Sequence, residues 1–176
     1  MSIIGGSMNL KESVRSIPGY PKEGVIFRDV TTLLKDGKLF KEAIDKIAEK
    51  IDYDFDKVIG IEARGFIIGA PLAYKFEKGF IPVRKPGKLP SKKISMEYDL
   101  EYGTDSIEMH IDGINKGEKI IIVDDLLATG GTSRAAIKLV ESLGGIVQSL
   151  LFLVELDDLK GRDILKGYKI DSILHF

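Results

Sequence analysis

The sequence predicts an α/β fold with a parallel sheet flanked by helices. Three observations carry this. Short apolar runs alternate with longer segments of helical periodicity. Runs such as "IIIV" at 120–123 have no polar alternation, which suits strands covered on both faces. The chain of 176 residues has the usual size of one domain and can enclose a real core.

Residues 8–34 open with a short helical start. "SIPGYPKEGVIFRDVTTLL" then reads as an ordered, Pro- and Gly-rich loop followed by a short extended piece at "VIFRDV". From Asp36 to Ile51, Leu39, Phe40, Ala43, Ile44, Ile47 and Ile51 fall at helical spacing. "DKVIGIE" is a short buried strand ending at Glu62. "GFIIGAPLAYKFEKG" is a mostly apolar helix with Gly79 suited to its C-terminal cap, and "FIPVRK" is another extended piece. Residues 91–112 break the rhythm. Ile94, Met96 and Tyr98, then Ile107, Met109 and Ile111, recur at period two around the polar turn "DLEYGTD", as in a two-stranded ribbon projecting from the sheet as a flap. The strand "IIIVDD" follows, then the helix "TSRAAIKLVESL" closed by Gly144 and Gly145. "IVQSLLFLVEL" and "YKIDSILHF" supply the last two strands. There is no internal repeat.

Composition narrows the function. Hydrophobic residues make up 44% and charged residues 30%, and the net charge is −1, so no global positive field draws nucleic acid or anionic membrane. The absence of cysteine removes disulfides and thiolate chemistry. No apolar run approaches the ~20 residues of a membrane span, and the N-terminus lacks a signal-peptide core. The expectation is a cytoplasmic single domain over 8–176, with residues 1–7, "MSIIGGS", read as an expression scar.

The chemistry concentrates in "IIIVDDLLATGGT", residues 120–132. Ligands of open parallel sheets gather at the carboxyl ends of the strands, where loops lead into helices. The turn at 129–132 lies at such a helix start, where free backbone N–H groups and the positive dipole end suit a phosphate. Gly130 and Gly131 let the backbone approach its oxygens, and the hydroxyls of Thr129, Thr132 and Ser133 add donors. Asp124 and Asp125 would repel a phosphate, so they face another part of the ligand. Sugar hydroxyls suit them, because carboxylates only accept. A bound Mg²⁺ is also compatible. Phosphate on the turn and a diol on the aspartates describe a 5-phosphorylated ribose. The alternative is a buried strand with a capped turn and no ligand. Two further strand ends add positive charge: Arg64 in "IEARGF", and Arg84, Lys85 and Lys88 in "VRKPGKLP". An arginine at a helix start suits a pyrophosphate better than it suits the helix dipole.

"VDDLLATGGT" resembles the phosphoribosyl-pyrophosphate (PRPP) motif of the type I phosphoribosyltransferases. "PGYPKEGVIFRDVTTLL", "IEARGF", "VRKPGKLP", "YDLEYG" and "LVEL" are similar, in order and spacing, to the adenine-using members of that family, from Met8 to the C-terminus. The resemblance implies a type I phosphoribosyltransferase fold with an N-terminal hood over 8–34 and a flexible flap over 91–112. It implies that Asp124 and Asp125 hold the ribose 2- and 3-hydroxyls and that Ala128, Thr129, Gly130, Gly131 and Thr132 bind the 5-phosphate. Arg64 would contact pyrophosphate from a loop of unusual backbone geometry. Arg84, Lys85 and Lys88 would lie on the pyrophosphate side, with Arg84 serving the neighbouring subunit of a homodimer. Phe27 would stack on adenine, with backbone groups of Ile26 and Arg28 reading its edge. In the flap, Glu101 would be the acid–base residue near adenine N7, accompanied by Tyr98 and Tyr102. No metal ligand comes from the protein directly; Mg²⁺ would arrive through PRPP and water.

The implied reaction is attack of adenine N9 on C1 of PRPP, giving AMP and pyrophosphate, a purine-salvage step. Its cation-like ribose carbon must be kept from water, which gives the flap a purpose. His110 and His175 lie among strand-like apolar residues and are expected to be structural. Three rivals share the motif or its chemistry. A transferase for another base should lack "GVIFRDV", a PRPP-sensing regulator would want a basic face or a DNA-binding domain, and a PRPP synthetase would need an ATP site and more chain.

Overall fold

The computed structural model describes residues 9–100 and 103–176. The chain divides into two compact units, Met1–Asp45 and Lys46–Phe176.

In the first unit a short helix, α1 (Leu10–Ser13), leads into β1 (Arg15–Pro18), and β2 (Ile26–Asp29) returns antiparallel with Ile17 opposite Phe27. The region expected as loop plus extended piece is therefore a hairpin. Its Pro and Gly residues mark the connection, where Gly19 takes φ 74° and its N–H bonds the Val25 carbonyl at 2.7 Å. β1 escapes detection because three of its four residues are exposed and show no apolar alternation. The Tyr20 ring stands edge-on to Phe27 at 5.3 Å. Helix α2 (Thr31–Leu34) follows, and α3 (Gly37–Ala48) runs on into the second unit. Asp36 caps α3 by accepting from the N–H groups of Lys38 and Leu39. Leu39, Ala43, Ile44 and Ile47 are buried as their spacing predicts.

The second unit contains β3 (Lys57–Ile61), α4 (Arg64–Lys75), β4 (Gly79–Val83), β5 (Lys93–Asp99), β6 (Thr104–His110), β7 (Lys119–Leu127), α5 (Gly131–Ser142), β8 (Ile146–Glu155) and β9 (Ile170–His175). Two short 3₁₀ turns, Asp157–Leu159 and Gly161–Leu165, separate the last two strands. Five strands form one sheet in the order β4-β3-β7-β8-β9, and every pairing is parallel. Side chains alternate between its faces. Ile59, Ile120, Ile122, Leu150 and Phe152 pack with Ala136, Ile137 and Val140 of α5. On the opposite face Gly60 lies against Gly65 and Gly69 of α4. Each buried Ile, Leu, Val and Phe in this cluster contributes about 1.5–3 kcal/mol.

Gly79 does not cap α4; it begins β4. The left-handed position after the helix is Glu77, at φ 54°. Its N–H bonds the Tyr74 carbonyl and the Lys78 N–H bonds Ala73, the pair of bonds that closes a helix in the Schellman arrangement.

β5 and β6 form the expected ribbon, with Ile94 opposite Met109 and Met96 opposite Ile107, but Asp99, Thr104 and Asp105 of the expected turn pair within it and Ile111 lies beyond its end. The ribbon does not project freely along its length. Ile107 and Met109 are fully buried beside Ile81 and Val83, and Arg84 and Glu108 exchange both backbone hydrogen bonds, at 2.9 and 2.7 Å. The other end, where Asp99 pairs with Thr104, contributes nothing to that core, but the Asp99 carbonyl rests against Gly131 at the start of α5. His110 accepts from the Ser91 N–H, and His175 bonds the Asp157 carboxylate at 2.8 Å.

Candidate active site

Ile120 to Val123 are buried in the middle of the sheet, so the chain leaves it at a fixed point, and Asp124 and Asp125 stand there. Asp125 is 5% exposed and accepts from the Arg64 Nε at 2.5 Å. Its own N–H donates to the Asp124 carboxylate at 2.8 Å. Burial, and then the neighbouring Asp125 charge, push the Asp124 carboxyl well above its usual range. The two acids beside the glycine turn are therefore not equivalent: Asp125 is paired with a guanidinium, and burial works against the charge of Asp124.

Arg64 reaches Asp125 because α4 starts unusually close to the end of β7. A Cβ on Gly65 would come within 2.9 Å of the Asp124 Oδ1 and the Val123 carbonyl. A Cβ on Gly60 would meet the Phe80 ring at 2.7 Å. Glycine at both places lets helix and strand touch. The Glu62–Ala63 peptide just before Arg64 is cis.

Beyond the aspartates, Gly130 takes φ 86° and precedes the first turn of α5, whose leading N–H groups have no helical acceptor. Ala128, Thr129, Gly130, Gly131 and Thr132 line a cavity of about 80 Å³ with Asp124. The turn is braced from behind by the loop after β8. A Cβ on Gly161 would fall on the Ala128 carbonyl oxygen, and one on Gly130 would lie 2.7 Å from the Gly161 carbonyl. Arg134 of α5 donates to the Ile164 carbonyl in the same loop. Arg162 grips the buried Glu155 through two hydrogen bonds of 2.7 Å and holds its carboxyl below the usual range.

A larger cavity, about 370 Å³, opens at the ends of β3, β4 and β7. Arg64, Lys85, Asp124, Asp125 and Thr132 line it, together with Glu62 and the ribbon's Tyr98 and Ile107. It shares Asp124, Leu126 and Thr132 with the small cavity, so a ligand seated on the turn extends into it. The basic loop is divided. Lys85 faces the cavity, whereas Arg84 is held by Glu62 at 3.2 and 3.3 Å and by the Lys88 carbonyl, and the Lys88 residue is exposed outside the lining. Glu62 also accepts from the Lys85 N–H at 2.9 Å. That bond, with Arg84, keeps its carboxyl below the usual range. Ile26, Phe27 and Arg28 lie on β2 in the first unit. Glu101 and Tyr102 fall outside the described residues.

Sequence reasoning missed Glu62, Gly65, Asp105 and Gly161. "IEARGF" carries a signal for the first two, a charge and a glycine flanking Arg64. Asp105 and Gly161 gain their meaning only from residues distant in the chain.

The donors fit a metal brought by its ligand. Among the described residues, acidic and histidine side chains cluster closely enough for an ion only at Glu155, Asp157 and His175, on the ends of β8 and β9. In the cavity, Asp125 is already paired with Arg64, leaving too few protein oxygens for an all-protein Mg²⁺ cage.

Comparison with known proteins defines the class first. Residues 30–165 match the phosphoribosyl transferase domain model, and the chain belongs to the phosphoribosyltransferase family. Within it, the chain groups with the adenine phosphoribosyltransferases. It is 57% identical over 170 residues to the enzyme of that name from Clostridium botulinum, covering 96% of this chain and 99% of the relative. The Acetivibrio thermocellus enzyme is 55% identical, covering 96% of this chain and 100% of the relative. The crystal structure of the Thermoanaerobacter pseudethanolicus adenine phosphoribosyltransferase superposes with a TM-score of 0.93 at 54% identity, covering 95% of this chain and 98% of that one. The Saccharomyces cerevisiae enzyme, complexed with an imino-altritol bisphosphate and adenine, gives 0.88 at 38%, covering 94% and 96%.

Proposed function

We propose that the two joined cavities are where this chain moves the 5-phosphoribosyl group from PRPP to adenine, giving AMP and pyrophosphate. One observation carries the reading. Asp124 and Asp125 at the end of β7 share a cavity with Arg64 and Lys85 and border the glycine turn at the start of α5. A ligand with phosphate at one end, a diol in the middle and pyrophosphate at the other matches that order of donors and acceptors.

In this reading the turn from Ala128 to Thr132 holds the 5-phosphate, and Asp124 and Asp125 accept from the ribose hydroxyls. Arg64 and Lys85 face the pyrophosphate, and Arg84 and Lys88 complete its surroundings, Arg84 for the neighbouring subunit of a homodimer. An apolar strip suits such a partner: Ile67 and Tyr74, two turns apart on α4, are 42% and 88% exposed. The N-terminal hood, residues 8–34, presents Phe27 to the base, with Ile26 and Arg28 reading its edge. The N9 lone pair of the N7–H tautomer forms the bond to C1 as the C1–O pair leaves with pyrophosphate, and the N7 proton passes to Glu101. Glu101, on the flap with Tyr98 and Tyr102, stabilises the attacking tautomer from near N7. Positive groups aimed at the departing pyrophosphate count most where charge develops. Mg²⁺, bound through PRPP oxygens and water, would offset part of that charge. The phosphorylated substrate does not cross apolar membranes, which supports a cytoplasmic location.

Pyrophosphate release from PRPP and Mg²⁺ with each nucleobase in turn tests the proposal. Adenine should support turnover and the other bases should not. Equal rates with hypoxanthine or guanine would overturn the base assignment, and silence with every base would point to a PRPP-sensing regulator. Phe27→Ala should raise the adenine KM about tenfold, the scale of ~1–3 kcal/mol for stacking on a base, with PRPP kinetics near normal. A fall in Tm with unaltered adenine KM would instead make Phe27 a packing residue.

A further inference from the structure

The ribbon and the basic loop meet through one carboxylate. Asp105 sits on β6 directly opposite Tyr98 of β5. It accepts a short hydrogen bond from the Lys85 Nζ and another, at 3.2 Å, from the Tyr98 hydroxyl. Lys85 also donates to the Tyr98 oxygen at 3.0 Å, and its ammonium lies 5.6 Å from the Tyr98 ring centre. Lys85 and Tyr98 both line the large cavity, whereas Asp105 does not; it stands behind them. An ammonium has three N–H donors. Two are directed to Asp105 and Tyr98, which leaves one for a ligand in the cavity.

We propose that Asp105 is a positioning residue, which aims Lys85 at the pyrophosphate end of the substrate and ties the ribbon's Tyr98 to the same point. The inference rests on the proposed role of the cavity. Lysine is a flexible point charge on a four-carbon stem, and its contribution to binding falls if it must be ordered when the ligand arrives. Asp105 orders it beforehand. Burial works against the Lys85 ammonium, but the bonds to Asp105 and Tyr98 outweigh it and hold its pKa above the usual lysine range. The Lys85 hydrogen bond in turn holds the Asp105 carboxyl below its usual range.

Electrostatics alone makes the opposite prediction, which gives the test its sign. Removing a negative charge near an anion site should tighten anion binding. If Asp105 works by aiming Lys85, Asp105→Asn should instead raise the PRPP KM about tenfold, the scale of a charge-assisted hydrogen bond, with adenine KM and kcat little changed. The experiment measures PRPP KM, adenine KM, kcat and Tm for Asp105→Asn, Lys85→Met and the double variant. Support would be a higher PRPP KM in both single variants, with Asp105→Asn adding nothing once Lys85 is gone. If Lys85→Met raises the PRPP KM and Asp105→Asn lowers or spares it, the positioning role is wrong while the cavity keeps its assignment. An undiminished Asp105→Asn effect in the Lys85→Met background would also overturn it, since Asp105 would then act through the ribbon's stability. Unchanged PRPP kinetics in Lys85→Met would remove the pyrophosphate assignment, and the inference with it.

Discussion

The turn after β7 and the ribbon of β5 and β6 border the same cavity, yet they are held by different forces. Backbone packing holds the turn. The buried strand delivers it, Gly130 permits its left-handed step, and the loop at Gly161 touches it from behind with no side chain between. The far half of the ribbon rests its Asp99 carbonyl against Gly131, and it is tied to the basic loop by side chains, through the contacts of Asp105, Tyr98 and Lys85 at partly exposed positions. Such ion pairs and hydrogen bonds are individually weak and can exchange partners. A backbone turn wedged between glycines cannot. The contrast suits a phosphate cradle present before the ligand arrives and a cover that rearranges when it does.

Five substitutions can break or sharpen that contrast. The largest effect belongs to Glu101 of the proposed flap. Glu101→Gln should lower kcat by roughly 10²- to 10⁴-fold, the scale of a positioned general acid or base, with both KM values nearly preserved. Near-normal kcat where chemistry limits turnover would reduce the ribbon to a lid. Next come Asp124→Asn and Asp125→Asn, at about 1.5–3 kcal/mol each for a lost charge-assisted hydrogen bond. The loss should fall on PRPP use and spare adenine. If PRPP kinetics survive both changes, the ribose assignment fails.

Gly161→Ala tests the rigid side without touching the ligand. Its new Cβ collides with the Ala128 carbonyl, so the turn must shift. Overpacking of this kind costs about 1–3 kcal/mol, and both Tm and PRPP affinity should fall together. A lower Tm with intact PRPP KM would mean that the cradle tolerates displacement. Tyr98→Phe is the mildest probe. It removes a hydroxyl joined to Lys85 and Asp105, and should cost about 0.5–1.5 kcal/mol, expressed in PRPP KM with Tm unchanged. An equal drop in Tm would place the ribbon among the rigid parts.

Much of the fold is legible in the chain because burial on both faces leaves a simple mark. The runs at 58–61 and 120–123 are apolar without alternation, and both lie in interior strands. The ribbon is legible for the complementary reason, since period-two spacing sets its register and Ile94, Met96, Ile107 and Met109 pair accordingly. Expectations fail where neighbours override local preference. β1 is a strand because β2 pairs with it, and Glu77 takes the left-handed place offered to Gly79. The flap is anchored because Arg84 bridges Glu108, a pairing with no local signature.

By itself the sequence determined the alternating order of strands and helices, the glycine turn at a helix start and the two acids beside it. These follow from residues adjacent in the chain, where periodicity, glycine and charge act locally. Only the tertiary structure decided that Arg64 pairs with Asp125, that Arg84 turns to Glu62, that Gly161 braces the turn and that Asp105 stands behind Lys85. The partners in these contacts are 20 to 61 residues apart where hydrogen-bonded. Distances of 2.5 to 3.5 Å between such groups arise from the packing of strands and helices, to which spacing along the chain is blind.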